Sequence, residues 1–406
     1  MTPPGHSDAK KLPRLSVPTL ELSRQYARIG PEILAAVEKV CASSHYVGGE
    51  DVAAFEGELA AFTGAAAAVG CASGTDALWL ALVAAGVGPG DTVVTSPFSF
   101  FASASAIVRA GATPVFADID RRTWNLDAEQ LARKLRAQRV PKLKALLPVH
   151  LYGQCADMDL LGELAAEFKL VVIEDAAQAI GAEWNSESAG AKQIGTKKAG
   201  ALGAAAAFSF YPTKNLSAYG DAGAVTTMDA DWAEHMRRLR NHGSPRRYVH
   251  EEFGWNSRLD SMQAAILRVK MRYIVDWNEA RRARAGVYDR LFADSGLVSS
   301  GEHSEPGPIV LPWRDSRAGH VFHQYVVKAQ RRDELRNFLK EHGVGSEVYY
   351  PIPLHLQSCF AYLGYREGDM PEAERAAGEV LALPLFPELR EDEQEYVVGR
   401  IAEFYS

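Results

Sequence analysis

The chain has 406 residues, of which 44 are Lys or Arg and 51 are Asp or Glu, so its formal net charge is −7 at neutral pH. A hydrophobic fraction of 47% and a charged fraction of 23% are ordinary for a globular protein, which excludes a disordered chain, a collagen-like repeat and a coiled-coil rod. The acidic balance argues against broad nucleic-acid binding, and no run of about 18 apolar residues predicts a membrane span.

From about residue 50 onward, helical patterns alternate with short apolar runs. The predicted helices are 52–62, 75–85, 128–137 and 160–168, and the predicted strands are 66–71, 92–96, 113–117, 145–149, 170–174, 204–210 and 223–227. The strands are apolar almost throughout instead of alternating, which is typical of strands buried on both faces. Helix and strand in turn therefore predict an α/β fold with a mostly parallel sheet.

After about residue 255 the pattern changes. Residues 259–291 predict one long helix, 299–308 a loop rich in Gly, Ser and Pro, 323–327 a strand and 332–342 a further helix. We therefore expect a flexible tail at 1–16, a large α/β domain at 17–280 and a smaller C-terminal α/β domain at 281–406.

The N-terminus lacks the apolar segment of a secretory signal, and the four cysteines form no CxxC pair and lie beside no His pair. These features predict neither a zinc site nor a disulfide framework, and they favour a reducing cytoplasm.

Ligands of open α/β sheets bind at the carboxyl ends of the strands. After the first strand, Ser73, Gly74, Thr75 and Asp76 lead into a helix, whose free N–H groups suit an anionic phosphate. The same residues are also typical of an ordinary helix cap.

Two further strand ends carry charged side chains. Glu174 and Asp175 close an otherwise apolar strand, where a carboxylate can pair with a buried cation, a metal or a heterocyclic nitrogen, or simply cap the next helix. Lys214 follows the strand at 204–210 and precedes a Gly-rich turn. A lysine there is either an ordinary solvated side chain or a nucleophilic amine for carbonyl groups.

Pyridoxal phosphate needs all three features together. Its phosphate suits a helix N-terminus, its pyridine nitrogen needs a carboxylate to stay protonated, and its aldehyde needs a lysine for a Schiff base. The aromatic residues after the strand at 92–96 add a ring that can stack on the cofactor.

Five stretches of the chain resemble the DegT/DnrJ/EryC1/StrS family of pyridoxal-phosphate sugar aminotransferases. They are SGTDAL at 73–78, EDAAQA at 174–179, SFYPTKN at 209–215, GWNSRLD with QAA at 254–265, and YYPIPLHLQ at 349–357. The resemblance runs from about residue 18 to the end. It implies the type I fold of pyridoxal-phosphate enzymes, a cofactor of pyridoxal 5′-phosphate and no catalytic metal.

The resemblance also implies roles for single residues. Lys214 forms the Schiff base and then moves the proton, Asp175 pairs with the pyridine nitrogen, and Gln178 approaches the phenolic oxygen. The phosphate is held by backbone groups of Gly74 and Thr75 and by the Ser209 hydroxyl, and the ring is stacked on by Phe100, with Phe101 as the competitor.

Residues outside that set are expected to complete the site. The resemblance implies that Asn256 reaches the phosphate of the neighbouring subunit's cofactor, which makes a homodimer with shared active sites. It also implies that Tyr350 and His355 face the sugar nucleotide. Arg246 and Arg247 are a candidate clamp for a diphosphate, although paired arginines are usually solvated.

The implied activity is transfer of an amino group from an amino acid, expected to be glutamate, to a keto-sugar of a nucleoside diphosphate sugar. The loop at 241–248 and the stretch at 349–357 most resemble relatives that act on 3-keto sugars, including 3-oxo-glucuronate types. The implied products enter deoxyaminosugar, polysaccharide or natural-product biosynthesis. The alternatives are a cyclitol (inosose) aminotransferase and a sugar dehydratase, in which histidine replaces the lysine. A cofactor-binding regulator would need a DNA-binding module that the sequence does not suggest. The glycines at 86–90 lack dinucleotide-binding spacing.

Overall fold

The computed structural model describes residues 15–186, 195–298 and 307–406. The predicted tail at 1–16 and the predicted loop at 299–308 lie almost entirely outside these ranges. The strands are β1 (Ala67–Cys71), β2 (Thr92–Thr95), β3 (Thr113–Phe116), β4 (Leu143–Leu147), β5 (Val171–Asp175), β6 (Glu183–Ser186), β7 (Gly195–Lys198), β8 (Ala205–Ser209), β9 (Gly223–Thr227), β10 (Ile309–Val310), β11 (Ala318–Gly319), β12 (Tyr325–Ala329) and β13 (Val380–Leu383).

The helices cover both faces of the sheet and the C-terminal part of the chain. They are α1 (Leu22–Ser43), α2 (Glu50–Thr63), α3 (Gly74–Ala84), α4 (Ala102–Arg109), α5 (Ala128–Ala137), α6 (Met158–Phe168), α7 (Ala230–Leu239), α8 (Ser261–Met271), α9 (Ile274–Ser295), α10 (Arg332–Glu341), α11 (Pro371–Glu379) and α12 (Glu391–Tyr405). None of these helices is long and apolar enough to span a bilayer, in the part of the chain that the structure describes.

The central sheet has seven strands in the order β1-β9-β8-β5-β4-β2-β3. Only β9 runs antiparallel to its neighbours, and every other adjacent pair is parallel. The prediction of an α/β fold with a mostly parallel sheet is therefore confirmed. Because β1, β5 and β8 run in the same direction, the residues that follow them meet at one edge of the sheet.

Two apolar cores explain why apolar and polar residues do not alternate along the strands. Val94 of β2 and Leu146 of β4 pack in one core with helices such as α1, α2, α6 and α8. Val93 and Leu147, their neighbours along the strands, point to the opposite face and pack with α3, α4 and α7. Both faces are apolar, so each strand reads as a continuous apolar run.

The C-terminal part contains a second sheet, β10-β12-β13, which is antiparallel. Its core includes Tyr288 and Phe292 of α9, whereas Ile274 at the start of α9 packs in a core of the central sheet. Helix α9 thus joins the two parts of the chain. Val17 packs in the C-terminal core as well, and the division near residue 280 stays a prediction.

The prediction of one helix over 259–291 is wrong. The chain forms α8 and α9 instead, with a break at Arg272 and Tyr273. Both side chains bind the Glu32 carboxylate on α1, at 2.6 Å from the Arg272 Nη2 and 2.6 Å from the Tyr273 hydroxyl. The break carries neither Gly nor Pro, and its contacts are with a distant helix, so the local sequence gives no signal for it.

Candidate active site

The first strand end forms an anion cradle, by which we mean Gly74, Thr75 and Ser209. The Ser73 Oγ accepts the N–H of Asp76 at 3.1 Å and caps α3. The N–H groups of Gly74 and Thr75 bond to no group within the described ranges. A Cβ on Gly74 would lie 2.6 Å from the Cβ of Ser209, so only glycine permits this approach. Two free N–H groups at a helix start thus lie beside a hydroxyl, which suits a phosphate.

Asp175 closes β5 and is only 5% exposed. Its Oδ2 accepts a hydrogen bond from the Ser103 hydroxyl at 2.7 Å, and its Oδ1 accepts one from the N–H of Ala177 at 3.2 Å. Burial raises the pKa of Asp175, while these two hydrogen bonds and the charge of Lys214 act to lower it. The pKa of this buried carboxylate therefore stands above its ordinary value, and its contacts oppose part of the rise.

Glu174 has a different role from its neighbour. Its carboxylate accepts the N–H groups of Gly200, Leu202 and Gly203 at 2.7–2.9 Å. The Nε2 of His150 lies 3.0 Å away, and since His150 Nδ1 accepts the N–H of Ala156, the proton sits on Nε2 and points to Glu174. Glu174 therefore fixes the turn before β8 and binds His150 after β4, which leaves Asp175 as the carboxylate of the site.

Lys214 lies half-buried in the turn after β8. Burial lowers the pKa of its amine to about 8, and the charge of Asp175 opposes that shift. An amine with this pKa has a sizeable neutral fraction near neutral pH, and only the neutral form attacks carbonyl carbon.

The next residue, Asn215, anchors the turn that carries Lys214. Its Nδ2 donates to the Oδ1 of Asn278 at 2.9 Å and to the carbonyl of Val321 at 3.3 Å, and its Oδ1 lies 3.1 Å from the Nδ1 of His323. His323 Nδ1 must therefore be the donor, with its proton on Nδ1. Burial holds the pKa of His323 well below its ordinary value, so the ring stays neutral.

Gln178 and two aromatic residues form one side of the same region. The Oε1 of Gln178 accepts the N–H of Tyr152 at 2.6 Å, and its Nε2 donates to the Tyr350 hydroxyl at 3.0 Å. The exposed ring of Phe100 lies 6.4 Å from that of Tyr350, whereas Phe101 packs on Phe360 at 5.6 Å. Phe100 therefore adjoins Gln178 and Tyr350, and Phe101 turns away.

Other predicted site residues lie apart from this group. His355 is fully buried, and its Nε2 lies 2.9 Å from Glu374 of α11, so its ring is directed to that helix. Arg246, Arg247 and Asn256 are exposed on the segment between α7 and α8. Their predicted roles need a second subunit or a substrate and stay predictions.

Ser103 and His323 are polar neighbours of the site that the sequence analysis missed. Ser103 lies in a run of Ala and Ser that carries no motif, and His323 falls inside a predicted strand. The only available signal was position, because Ser103 lies in the first turn of the helix that follows a strand end.

The residues present fit pyridoxal phosphate. The anion cradle offers free N–H groups and a hydroxyl for the phosphate, Asp175 is a buried carboxylate for a protonated ring nitrogen, and Lys214 is an amine of lowered pKa for the aldehyde. Asp175 closes β5 and Lys214 follows β8, and these are neighbouring parallel strands, so the last two groups lie at the same end of the sheet.

Comparison with known proteins agrees with this chemistry. The model of the DegT/DnrJ/EryC1/StrS aminotransferase family matches residues 27–402. A "pleiotropic regulatory protein" of Geobacillus stearothermophilus is 50% identical over 391 residues, covering 96% of this chain and 99% of the relative. The UDP-N-acetyl-3-dehydro-α-D-glucosamine 3-aminotransferase of Acidithiobacillus ferrooxidans is 41% identical over 387 residues, covering 95% and 96%.

A solved structure is similar over the same length. It is the DesV protein of S. venezuelae in complex with a ketimine intermediate, with a TM-score of 0.87, 40% identity and coverage of 96% of this chain and 98% of that one. The chain belongs to the DegT/DnrJ/EryC1/StrS family of aminotransferases, enzymes that depend on pyridoxal 5′-phosphate.

Proposed function

We propose that the chain moves an amino group from an amino acid, glutamate, to the ketone of a nucleotide-linked sugar, and that the ketone is at carbon 3. The observation that carries this proposal is that Asp175 closes β5 and Lys214 follows the neighbouring parallel strand β8, and that Ser209 of the anion cradle closes β8. The 41%-identical relative is named for a 3-dehydro sugar of UDP, which supports both the nucleotide link and the position.

The anion cradle, Asp175 and Lys214 each have a separate role in the proposed reaction. Bound pyridoxal phosphate supplies an electron-accepting ring. The anion cradle binds and orients its phosphate, and Asp175 holds a proton at the ring nitrogen. The Lys214 amine moves a proton to and from the reacting carbon, and such a positioned acid or base contributes about 10²- to 10⁴-fold.

Lys214 suits that task because its pKa of about 8 is close to neutral pH. The amine can therefore both accept and donate a proton at similar driving force. The network of Asn215, Asn278 and His323 fixes the turn next to it, which limits the directions in which the amine can point.

For the sugar nucleotide we propose Tyr350, Arg246 and Arg247 as contacts, with the two guanidinium groups on the diphosphate. Tyr350 is already tied to the site by its hydrogen bond with Gln178. We assign His355 a supporting part, because its Nε2 is held by Glu374 and its ring is fully buried.

We also propose a homodimer with shared active sites, in which Asn256 reaches the phosphate in the partner. Tyr248, Phe253 and Trp255 on the same segment are 81%, 98% and 55% exposed. Aromatic rings gathered on one exposed segment favour a covering protein surface. The four free thiols, Cys41, Cys71, Cys155 and Cys359, fit a protein of the reducing cytoplasm.

The direct test is a panel of UDP- and dTDP-linked 3-keto and 4-keto sugars together with inosose, each incubated with glutamate and analysed by mass spectrometry. We expect 2-oxoglutarate and an aminated 3-keto sugar in equal amounts, and neither product with Lys214→Ala. Amination of inosose alone would establish the cyclitol alternative, and loss of water without 2-oxoglutarate would establish the dehydratase.

A regulatory role is the second candidate, because the relative with 50% identity carries that name. A regulator without catalysis would bind the cofactor and yield no 2-oxoglutarate with any keto-sugar of the panel. The same experiment therefore separates the two functions.

A further inference from the structure

We propose that Ser99 and Ser103 form a hydroxyl chain that positions Asp175 and keeps the shared proton on the ring nitrogen of the cofactor. Ser103 is in this sense a positioning residue, since it acts through Asp175. The inference rests on the proposed role of Asp175, and the experiment below separates the two.

The geometry gives the chain a direction. The Ser103 Oγ lies 2.7 Å from the Asp175 Oδ2, and the Ser99 Oγ lies 2.7 Å from the Ser103 Oγ. An ionised carboxylate only accepts hydrogen bonds, so Ser103 donates to Asp175. Its proton is then committed, and Ser99 must donate to Ser103. Hydrogen bonds aligned in this way polarise and strengthen one another.

The hydroxyl chain is buried and rigidly placed. Ser103 is fully buried and Ser99 is 3% exposed. Ser103 lies in the first turn of α4, so its position is set by the packing of that helix on the sheet. Asp175 lies at the end of β5, and the hydrogen bond therefore joins two fixed elements and selects one orientation of the carboxylate.

The charge balance explains why the hydroxyl chain matters. One proton is shared between the Asp175 carboxylate and the ring nitrogen, and burial makes the carboxylate a stronger base. A donated hydrogen bond stabilises the ionised form and makes it a weaker base. The proton then stays on the nitrogen, where it strengthens the electron-accepting ring. The other titratable groups that act on Asp175 are Lys214 and His150, and Tyr350 faces it as well.

The experiment uses holoenzyme loaded with pyridoxal phosphate that carries ¹⁵N at the ring nitrogen. In Ser103→Ala we expect the ¹⁵N resonance to move toward the position of an unprotonated pyridine. We also expect kcat to fall roughly tenfold or more while KM for the keto-sugar changes little, because a hydrogen bond to a charged group is lost. Ser99→Ala should change the ¹⁵N resonance and kcat in the same directions as Ser103→Ala, but by less.

Two variants on the same helix serve as controls. Ser105→Ala removes a half-buried hydroxyl of α4 that has no hydrogen-bond partner among the described residues, and it should match the wild type. Ser103→Thr keeps the hydroxyl and should keep the wild-type resonance. If Ser103→Thr moves the resonance as far as Ser103→Ala, packing and not the hydroxyl is responsible, and the inference fails.

Asp175→Asn separates this inference from the proposed function. If Asp175→Asn shifts the ring ¹⁵N resonance but Ser103→Ala leaves it unchanged in a folded protein, the hydroxyl chain has no role in holding the proton. If Asp175→Asn also leaves it unchanged, the pairing of Asp175 with the ring nitrogen is itself wrong.

Discussion

At the scale of single residues, the reactivity of the site depends on how burial and charge oppose each other at Lys214. Burial favours the neutral amine, whereas the nearby Asp175 carboxylate favours the ammonium ion. The two influences leave the pKa at about 8, well below the ordinary value for lysine. A lysine on the surface would be almost wholly protonated near neutral pH and a poor nucleophile.

This balance predicts the titration of Lys214 in the protein freed of cofactor. Acylation of the Lys214 amine, followed by mass spectrometry across pH 6–11, should give a pKa of about 8. In Asp175→Asn the pKa should fall further, because the charge that favours the ammonium ion is gone. The exposed Lys39 serves as the internal reference. A rise of the pKa in Asp175→Asn would contradict this account.

Single residues of the site also differ in how well they can be predicted from the sequence. Asp175 and Lys214 stand out because each is a charged residue at or shortly after the end of an apolar strand, and the family motifs then give each a role. Ser103 carries no such contrast, since serine beside alanine in a short helix is common. Its significance comes from a hydrogen bond across 72 positions of the chain, which no local pattern contains.

At the scale of elements, α8 and α9 support the turn that follows β8. Gln263 and Lys270 of α8 bind this turn, as does Asn278 of α9. Lys270 is only 1% exposed, donates to the Ser217 hydroxyl at 3.0 Å and lies over the Tyr219 ring. Burial lowers the pKa of Lys270 to about 8.

The pKa of Lys270 is lower in the folded chain than in the unfolded chain. The buried amine therefore lowers the free energy of unfolding at every pH at which the unfolded amine is protonated. The cost is full below pH 8 and disappears as the pH rises to about 10.5, where the unfolded amine also loses its proton. Lys270→Met removes this cost, about 3 kcal/mol, and loses one hydrogen bond of about 1 kcal/mol.

We therefore expect the cofactor-free Lys270→Met variant to unfold at a higher temperature than the wild type at pH 7. The advantage should shrink or reverse by pH 10, which thermal unfolding followed by circular dichroism would measure. A variant that is less stable at pH 7 and equal at pH 10 would show that the ammonium ion stabilises the fold.

Helices and strands were predicted best where burial alone determines which residues are apolar. The seven strands of the central sheet were found within two residues of their ends, since burial on both faces gives an apolar run. The antiparallel direction of β9 could not be predicted from its residues, because an antiparallel strand buried on both faces has the same apolar sequence as a parallel one. The short β6 and β7 are largely polar and were missed.

At the scale of the whole molecule, the proposed homodimer would bring residues of two chains into each active site. Asn256 and its aromatic neighbours are exposed on the segment between α7 and α8, whereas Lys214 and Asp175 lie at the edge of the central sheet. If Asn256 serves the partner's site, each active site combines residues of both subunits, and single defects in different subunits can leave one site intact.

A hybrid dimer tests this arrangement. We expect a dimer of one Lys214→Ala chain and one Asn256→Asp chain, isolated with two affinity tags, to show about half the wild-type activity. One of its sites carries both defects and the other carries none, while each parent dimer is inactive. The matched hybrid of Lys214→Ala with Asp175→Asn should stay inactive, because these residues belong to one chain's site. An inactive first hybrid would place Asn256 in its own chain's site.

The central claim is that pyridoxal phosphate is bound to the Lys214 amine, and reduction of the holoenzyme with borohydride tests it most directly. After proteolysis and mass spectrometry, we predict that the reduced cofactor is found on the peptide that contains Lys214. Lys270 provides a built-in comparison, since its amine also has a pKa of about 8. A label on Lys270 or on any other lysine, or an enzyme that takes up no cofactor, would contradict the account.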